Sequence, residues 1–147
     1  MIYDGDKLEI VIRLLMSINT WLYQTSRGRL SSRMAGYSIL LLHTIGCKSG
    51  IAYTIPLTYF LDGENYILIA SNWGRQNNPG WYHNLIHQPA ASIQVKEKTI
   101  PVIAHLANGE EYTRLWKNIT VRNNFYSHYQ NKTKRKIPLV ILVPDRK

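Results

Sequence analysis

Cysteine is nearly absent from this 147-residue chain, where Cys47 stands alone. One thiol excludes an internal disulfide and any zinc site built on several cysteines, and it fits a reducing cytoplasm. Acidic residues are also scarce, nine against 18 Lys and Arg for a formal charge of +9. Most of them lie near the N-terminus or in turns, so paired-carboxylate hydrolysis has little support. No apolar run is long enough to cross a bilayer: "LEIVIRLLMSINTWLYQ" is interrupted by Glu9, Arg13 and Asn19 and reads as an amphipathic helix over 7–24. Asp4 and Asp6 precede it and no small-residue cleavage pattern follows, which argues against a secretory signal. A Rossmann GxGxxG, a P-loop and a GxSxG nucleophile elbow are all missing. His83 and His87 are four apart on an expected helix, but without an evident third ligand they do not make a metal site. Repeats, low-complexity tracts and Pro/Gly-rich linkers are missing too, so 1–147 reads as a single domain.

What the chain does contain is short apolar strands. The run 37–45, "YSILLLHTI", reads as buried; 52–60, "AYTIPLTYF", alternates and places Ile55, Leu57 and Tyr59 on one face. A turn at Asp62 and Gly63 joins it to 64–71, "ENYILIAS". A second hairpin over 91–106 turns near Glu97 with Ile100, Val102, Ala104 and Leu106 facing inward, and 137–143, "IPLVILV", is a last strand. Between them, Pro79 suits the first turn of a helix running to Pro89, and Asn108 with Glu111 three residues on resembles a capping box opening another. About six antiparallel strands, short turns and two or three short helices predict a mainly β fold, a small closed or split barrel, since closure removes exposed edges.

The stretch "ASNWGRQNNPGWYHNL" (70–85) carries more aromatic surface than turn chemistry needs and marks a lid or a pocket wall. Basic residues gather at Arg27, Arg29 and Arg33 and again at Lys132, Lys134, Arg135 and Lys136. Such clusters favour anionic partners without choosing among them. Nucleic acid is the weakest candidate, because no recognition-helix or RNP-like pattern accompanies the charge.

Taken in order, "YSILLLHTIGCKSG", "YTIPLTYFLDGENYILIASNWG", "NPGWYHNLIHQPAASIQV" and "YSHYQNKTKRKIPLVILVP" resemble the deazaflavin-dependent nitroreductase family over roughly residues 20–144. The resemblance implies a split β-barrel (a flavin-reductase-like roll) and an oxidoreductase that uses reduced coenzyme F-420 to reduce a quinone, nitro compound or other conjugated acceptor. By the same resemblance Lys48, Ser49 and Gly50 correspond to the phosphate-side loop and Pro56 to a strand residue beside the deazaflavin. Ser71 and Asn72 correspond to the loop at the ring edge, Trp81 to an aromatic packing near the ring, and Tyr126 and Tyr129 to tyrosines on the acceptor side. Three positions depart from the pattern: Cys47 and Tyr53 stand where the family carries basic residues, and Trp73 replaces a commonly small residue. The altered loop leaves FMN, or a non-enzymatic lipid ligand, as alternative occupants of the same barrel. Family members are often dimers, so monomer or homodimer is expected, in the cytoplasm, with helix 7–24 suited to peripheral membrane contact.

Overall fold

The protein was analysed as a computed structural model that describes residues 37–146 together with the short pieces 14–15 and 33–34. The expected helix over 7–24 lies outside the described residues except for Leu14 and Leu15, which are helical and exposed. In chain order the strands are β1 (Arg33–Met34), β2 (Tyr37–Ile45), β3 (Ala52–Thr58), β4 (Phe60–Asp62), β5 (Asn65–Ile69), β6 (Ala90–Val95), β7 (Lys98–Leu106) and β8 (Leu139–Pro144). Helix α1 (Gly80–His87) joins β5 to β6, while α2 (Gly109–Arg122) and α3 (Phe125–Lys132) join β7 to β8.

The sheet runs β1-β2-β6-β7-β8-β5-β4, with β3 on the other side of β2, and every pairing is antiparallel. What closes it is a change of partner. Residues 52–58 pair with β2 from Ile45↔Ala52 to Ile39↔Thr58, and after Tyr59 the same run pairs with β5 at Phe60↔Ile67. The Tyr59 N–H donates to the Ser38 carbonyl at 3.2 Å and holds the bend. The single strand expected over 52–60 is therefore two, because one continuous strand cannot serve both neighbours without turning.

Side-chain parity explains why the strands read as unbroken apolar runs rather than alternating ones. Leu68, Val140 and Leu142 point into the barrel with Leu40, Leu42, Trp81, Leu85, Ile93 and Val102. Their neighbours Ile67, Ile69, Leu139 and Ile141 point the other way, under Tyr112, Leu115 and Ile119 of α2. Each such aliphatic side chain contributes about 1.5–3 kcal/mol by leaving water. Ile55, Leu57, Tyr59 and Ile100 pack against the inner cluster as expected. Leu106 does not: it is 36% exposed at the end of β7, where the strand leaves the barrel.

Helix details differ in instructive ways. Pro79 takes the N-cap of α1 rather than its first turn, and Asn108 takes the N-cap of α2 without a side-chain capping bond, so Glu110 and Glu111 support that start through the helix dipole alone. His83 and His87 are exposed, and no group of three metal-ligating side chains occurs among the described residues.

On the barrel's outer side, half-buried His43 lies with its Nδ1 2.9 Å from the Thr54 hydroxyl, and burial lowers its pKa from 6.5. A folded pKa below the unfolded one means that the unfolded chain takes the proton more readily, so this group costs stability as pH falls through 6.5. Replacing it with Gln should flatten the stability loss between pH 6.5 and 5, measured as the shift of the urea midpoint with pH relative to the wild type.

Candidate functional site

Loop 46–51, between β2 and β3, is a tight structure built on bare backbone. Gly46 donates to the Ile51 carbonyl at 2.8 Å and accepts from Gly50 at 2.9 Å. A Cβ on Gly46 would come within 2.5 Å of Ser49 Oγ and 2.7 Å of the Tyr53 ring, so no side chain fits there. Gly50 sits at φ +69, which glycine adopts without strain. The Cys47 N–H donates to Asn84 Oδ1 at 3.0 Å, and Asn84 Nδ2 donates to Thr44 Oγ1 at 3.3 Å, so a buried amide from α1 clamps the loop to β2. Ser49 Oγ is occupied by the Ile51 N–H at 3.2 Å and lies 3.5 Å from the Tyr53 hydroxyl. Two successive N–H groups, of Lys48 and Ser49, have no partner among the described residues, and the exposed Lys48 ammonium faces no carboxylate among them. Adjacent unpaired amides beside a cation are groups of the kind that can take an anion.

The second loop, 70–79, is organised by a side chain that reads in the sequence as one more surface charge. Arg135 donates to the carbonyls of Ala70 (3.1 Å), Ser71 (2.9 Å) and Arg75 (3.0 Å) and to Asn78 Oδ1 (2.7 Å). Burial lowers its pKa from the usual guanidinium value, with nearby Tyr82 acting against that. Gln76 reaches the same segment, accepting from the Thr133 hydroxyl at 3.0 Å. Gln130 receives the Ile137 N–H at 2.9 Å and donates to the Arg135 carbonyl at 2.7 Å. The turn so held packs on α3, where the rings of Trp73 and Tyr129 meet edge to face at 6.3 Å. Tyr129 meets Tyr126 at 6.2 Å, and Tyr126 meets Phe60 at 5.9 Å. Helix α3 itself has no strong sequence signal; its Asn, Ser, His and Tyr residues are helical because this packing and Gln130 hold them.

The expected site residues thus fall into two groups tied by α1. Lys48, Ser49 and Gly50 share one loop, and Ser71 and Asn72 stand beside Tyr129 across the Trp73 turn. Pro56 is buried opposite Leu41, on the face of β2 and β3 turned away from the inner cluster. Trp81 is 6% exposed inside the barrel, where with Leu85 it anchors α1 in the inner cluster of Leu40 and Leu42. Sequence reasoning missed Arg135 and Asn84; the signal for the second was its place in "WYHNL", an amide between two core residues.

A loop with adjacent unpaired amides, a turn packed on tyrosines and a curled antiparallel split barrel narrow the class, and comparison with known families decides it. The family described as F420H(2)-dependent quinone reductase matches residues 15–144. The chain belongs to this family. A quinone reductase of this family from Mycobacterium tuberculosis (strain ATCC 25618 / H37Rv) is 39% identical over 132 residues, covering 87% of this chain and 89% of that protein. Among solved structures, an F420-H2 dependent reductase is 35% identical with a TM-score of 0.65, covering 71% of this chain and 93% of that one. Another, described as a domain-swapped dimer, is 31% identical with a TM-score of 0.69 over 92% and 95%. The split barrel is the fold these family structures share with this chain. The FMN alternative finds no support among these relatives.

Replacing Arg135 with Met should remove a positioning clamp: three carbonyls and one amide lose a charged donor, each such bond being worth about 1.5–3 kcal/mol before non-additivity. We expect a stability loss of about 2 kcal/mol in denaturant titration, and amide exchange faster in 70–79 than in β8.

Proposed function

We propose that this protein reduces quinones at the expense of reduced coenzyme F-420. Membership of the family across nearly the whole chain supports that reading, and the paired free amides at Lys48 and Ser49 carry it structurally. When bound, the reduced deazaflavin supplies the hydride. The protein's own part is to hold, orient and exclude water. Lys48, Ser49 and Gly50 hold the phosphate, and Pro56 lies in the strand beside the ring. Ser71 and Asn72 form the edge of the ring site, and Trp81 acts from beneath by fixing α1. A quinone that accepts two electrons also needs protons at its oxygens. Tyr126 and Tyr129, stacked edge to face on α3, can donate a hydrogen bond or a proton there. Homodimer assembly is the expectation from the likeness to the dimeric relative. No helix among the described residues is long and apolar enough to cross a membrane, and peripheral contact through 7–24 remains part of this proposal.

Lys48→Ala should raise the dissociation constant for the coenzyme about tenfold or more, since a charge-assisted contact to phosphate is worth about 1.5–3 kcal/mol. Quenching of intrinsic Trp fluorescence measures it, and an unchanged constant removes Lys48 from the phosphate contact. Tyr126→Phe and Tyr129→Phe should each lower kcat/KM for a quinone; if neither does, the tyrosines are not proton donors.

A further inference from the structure

Asn72, Trp73 and Gly74 lie in succession at φ 46, 61 and 77, a left-handed turn that a bulky aromatic residue rarely enters. Strain of this kind persists only where the surroundings impose it. Here they do. Arg135 grips the carbonyls on both sides of the turn, at Ser71 and Arg75, and Asn72 Nδ2 donates to the Asn77 carbonyl at 2.9 Å. A Cβ on Gly74 would sit 3.0 Å from both Lys132 Cβ and the Tyr129 carbonyl, so the turn is pressed against α3 with no room for a side chain.

What this arrangement displays is the Trp73 indole. It is 55% exposed although it touches Tyr129 edge to face at 6.3 Å, and Lys132 Nζ lies 5.8 Å from the centre of the Tyr129 ring. A tryptophan serving only as packing would turn its area inward, as Trp81 does at 6% exposure. Trp73 instead leaves a flat aromatic surface open beside the phenols of α3, with a cation close by. A planar, electron-poor ring stacks on such a surface, and the ammonium of Lys132 favours the oxygens that become negative as the ring takes up electrons.

We propose that Trp73, with Tyr129 and Lys132, forms a stacking subsite that selects planar quinone acceptors, Trp73 being its specificity-determining residue. The inference rests on the quinone-reductase reading and adds to it a residue where the family pattern carries a small side chain. Glycine at position 73 tolerates the left-handed backbone, so Trp73→Gly removes the ring without adding strain, and Trp73→Phe keeps a stacking face.

The test uses the full chain and 1,4-naphthoquinone, with steady-state kinetics, coenzyme affinity and melting temperature measured for wild type, Trp73→Gly and Trp73→Phe. Trp73→Gly should raise the quinone KM roughly three- to tenfold, leave kcat and coenzyme affinity within twofold, and keep or raise the melting temperature. Trp73→Phe should recover most of the KM. An unchanged KM in Trp73→Gly, or an effect that falls on coenzyme affinity instead, overturns the subsite. If the wild type reduces no quinone, the functional reading fails on its own. Calorimetric titration with naphthoquinone then decides the subsite separately: weaker binding by Trp73→Gly supports it, and equal or absent binding overturns it.

Discussion

Helix α1 is fixed by Trp81 and Leu85, whose side chains are sealed into the barrel, and loop 46–51 is fixed by α1. Asn84, one turn from the helix start, accepts from the backbone of loop 46–51 and donates to the Thr44 hydroxyl of β2, while Asn78, just before that start, receives Arg135. Gly80 and Asn84 are about 6 Å apart along the axis. Loop 46–51 is thus held by a rigid helix, and loop 70–79 by Arg135 at the entry to that helix. Burying the indole of Trp81 serves the site more than exposing it would, because a pocket keeps its geometry only if its supports cannot rotate.

The barrel beneath supplies that rigidity through two-sided burial. Strands β5 and β8 send alternate residues to the inner cluster and to the layer under α2, so neither can slip by one position without exchanging both sets. On the α2 side Tyr112 stacks on Trp116 at 6.0 Å, carries Lys136 Nζ 3.8 Å above its ring, and donates to the Ile137 carbonyl at 2.6 Å. Burial raises the Tyr112 pKa to about 12, which keeps the hydroxyl a donor throughout the physiological range. That bond lies two residues from Arg135, so the start of β8 and the clamp on loop 70–79 are anchored together.

Much of this was legible in the sequence, and what was not shares one cause. Strand positions, hairpin turns and the barrel class follow from local periodicity and turn residues, which a sequence displays directly. The bend at Tyr59 does not, because it depends on which neighbour each half of the run finds. Helix α3 was hidden for the same reason: Phe125–Lys132 has modest propensity and is stabilised by rings from Phe60 and Trp73, distant in sequence. Arg135 was indistinguishable from Lys134 and Lys136, since only the fold turns one of three adjacent cations toward four acceptors. The 46–51 turn was readable from its glycines, whereas the expectation that Lys48, Ser49 and Gly50 hold a phosphate rests on the family resemblance alone. Trp73 was readable as an oddity, but its left-handed backbone was not.

Charge distribution bears on the two basic residues that loop 46–51 lacks relative to the resembled family pattern. Replacing them with Cys47 and Tyr53 removes contact charges, yet residues 37–61, 65–96 and 112–136, which build both halves of the site, contain no Asp or Glu at all. The carboxylates among the described residues sit outside these segments at Asp62, Glu64, Glu97, Glu110, Glu111 and Asp145, and three of them face Arg114, Arg146 and His105. Bidentate Arg114 holds the Asp62 carboxyl below the ordinary carboxylate range, which keeps that negative charge locally compensated. Among the described residues the Lys48 ammonium pairs with no carboxylate, so its charge stays available to an anion within the roughly 8 Å that physiological salt leaves unscreened. A loop can give up direct cations more readily when the segments that flank it contribute no negative charge.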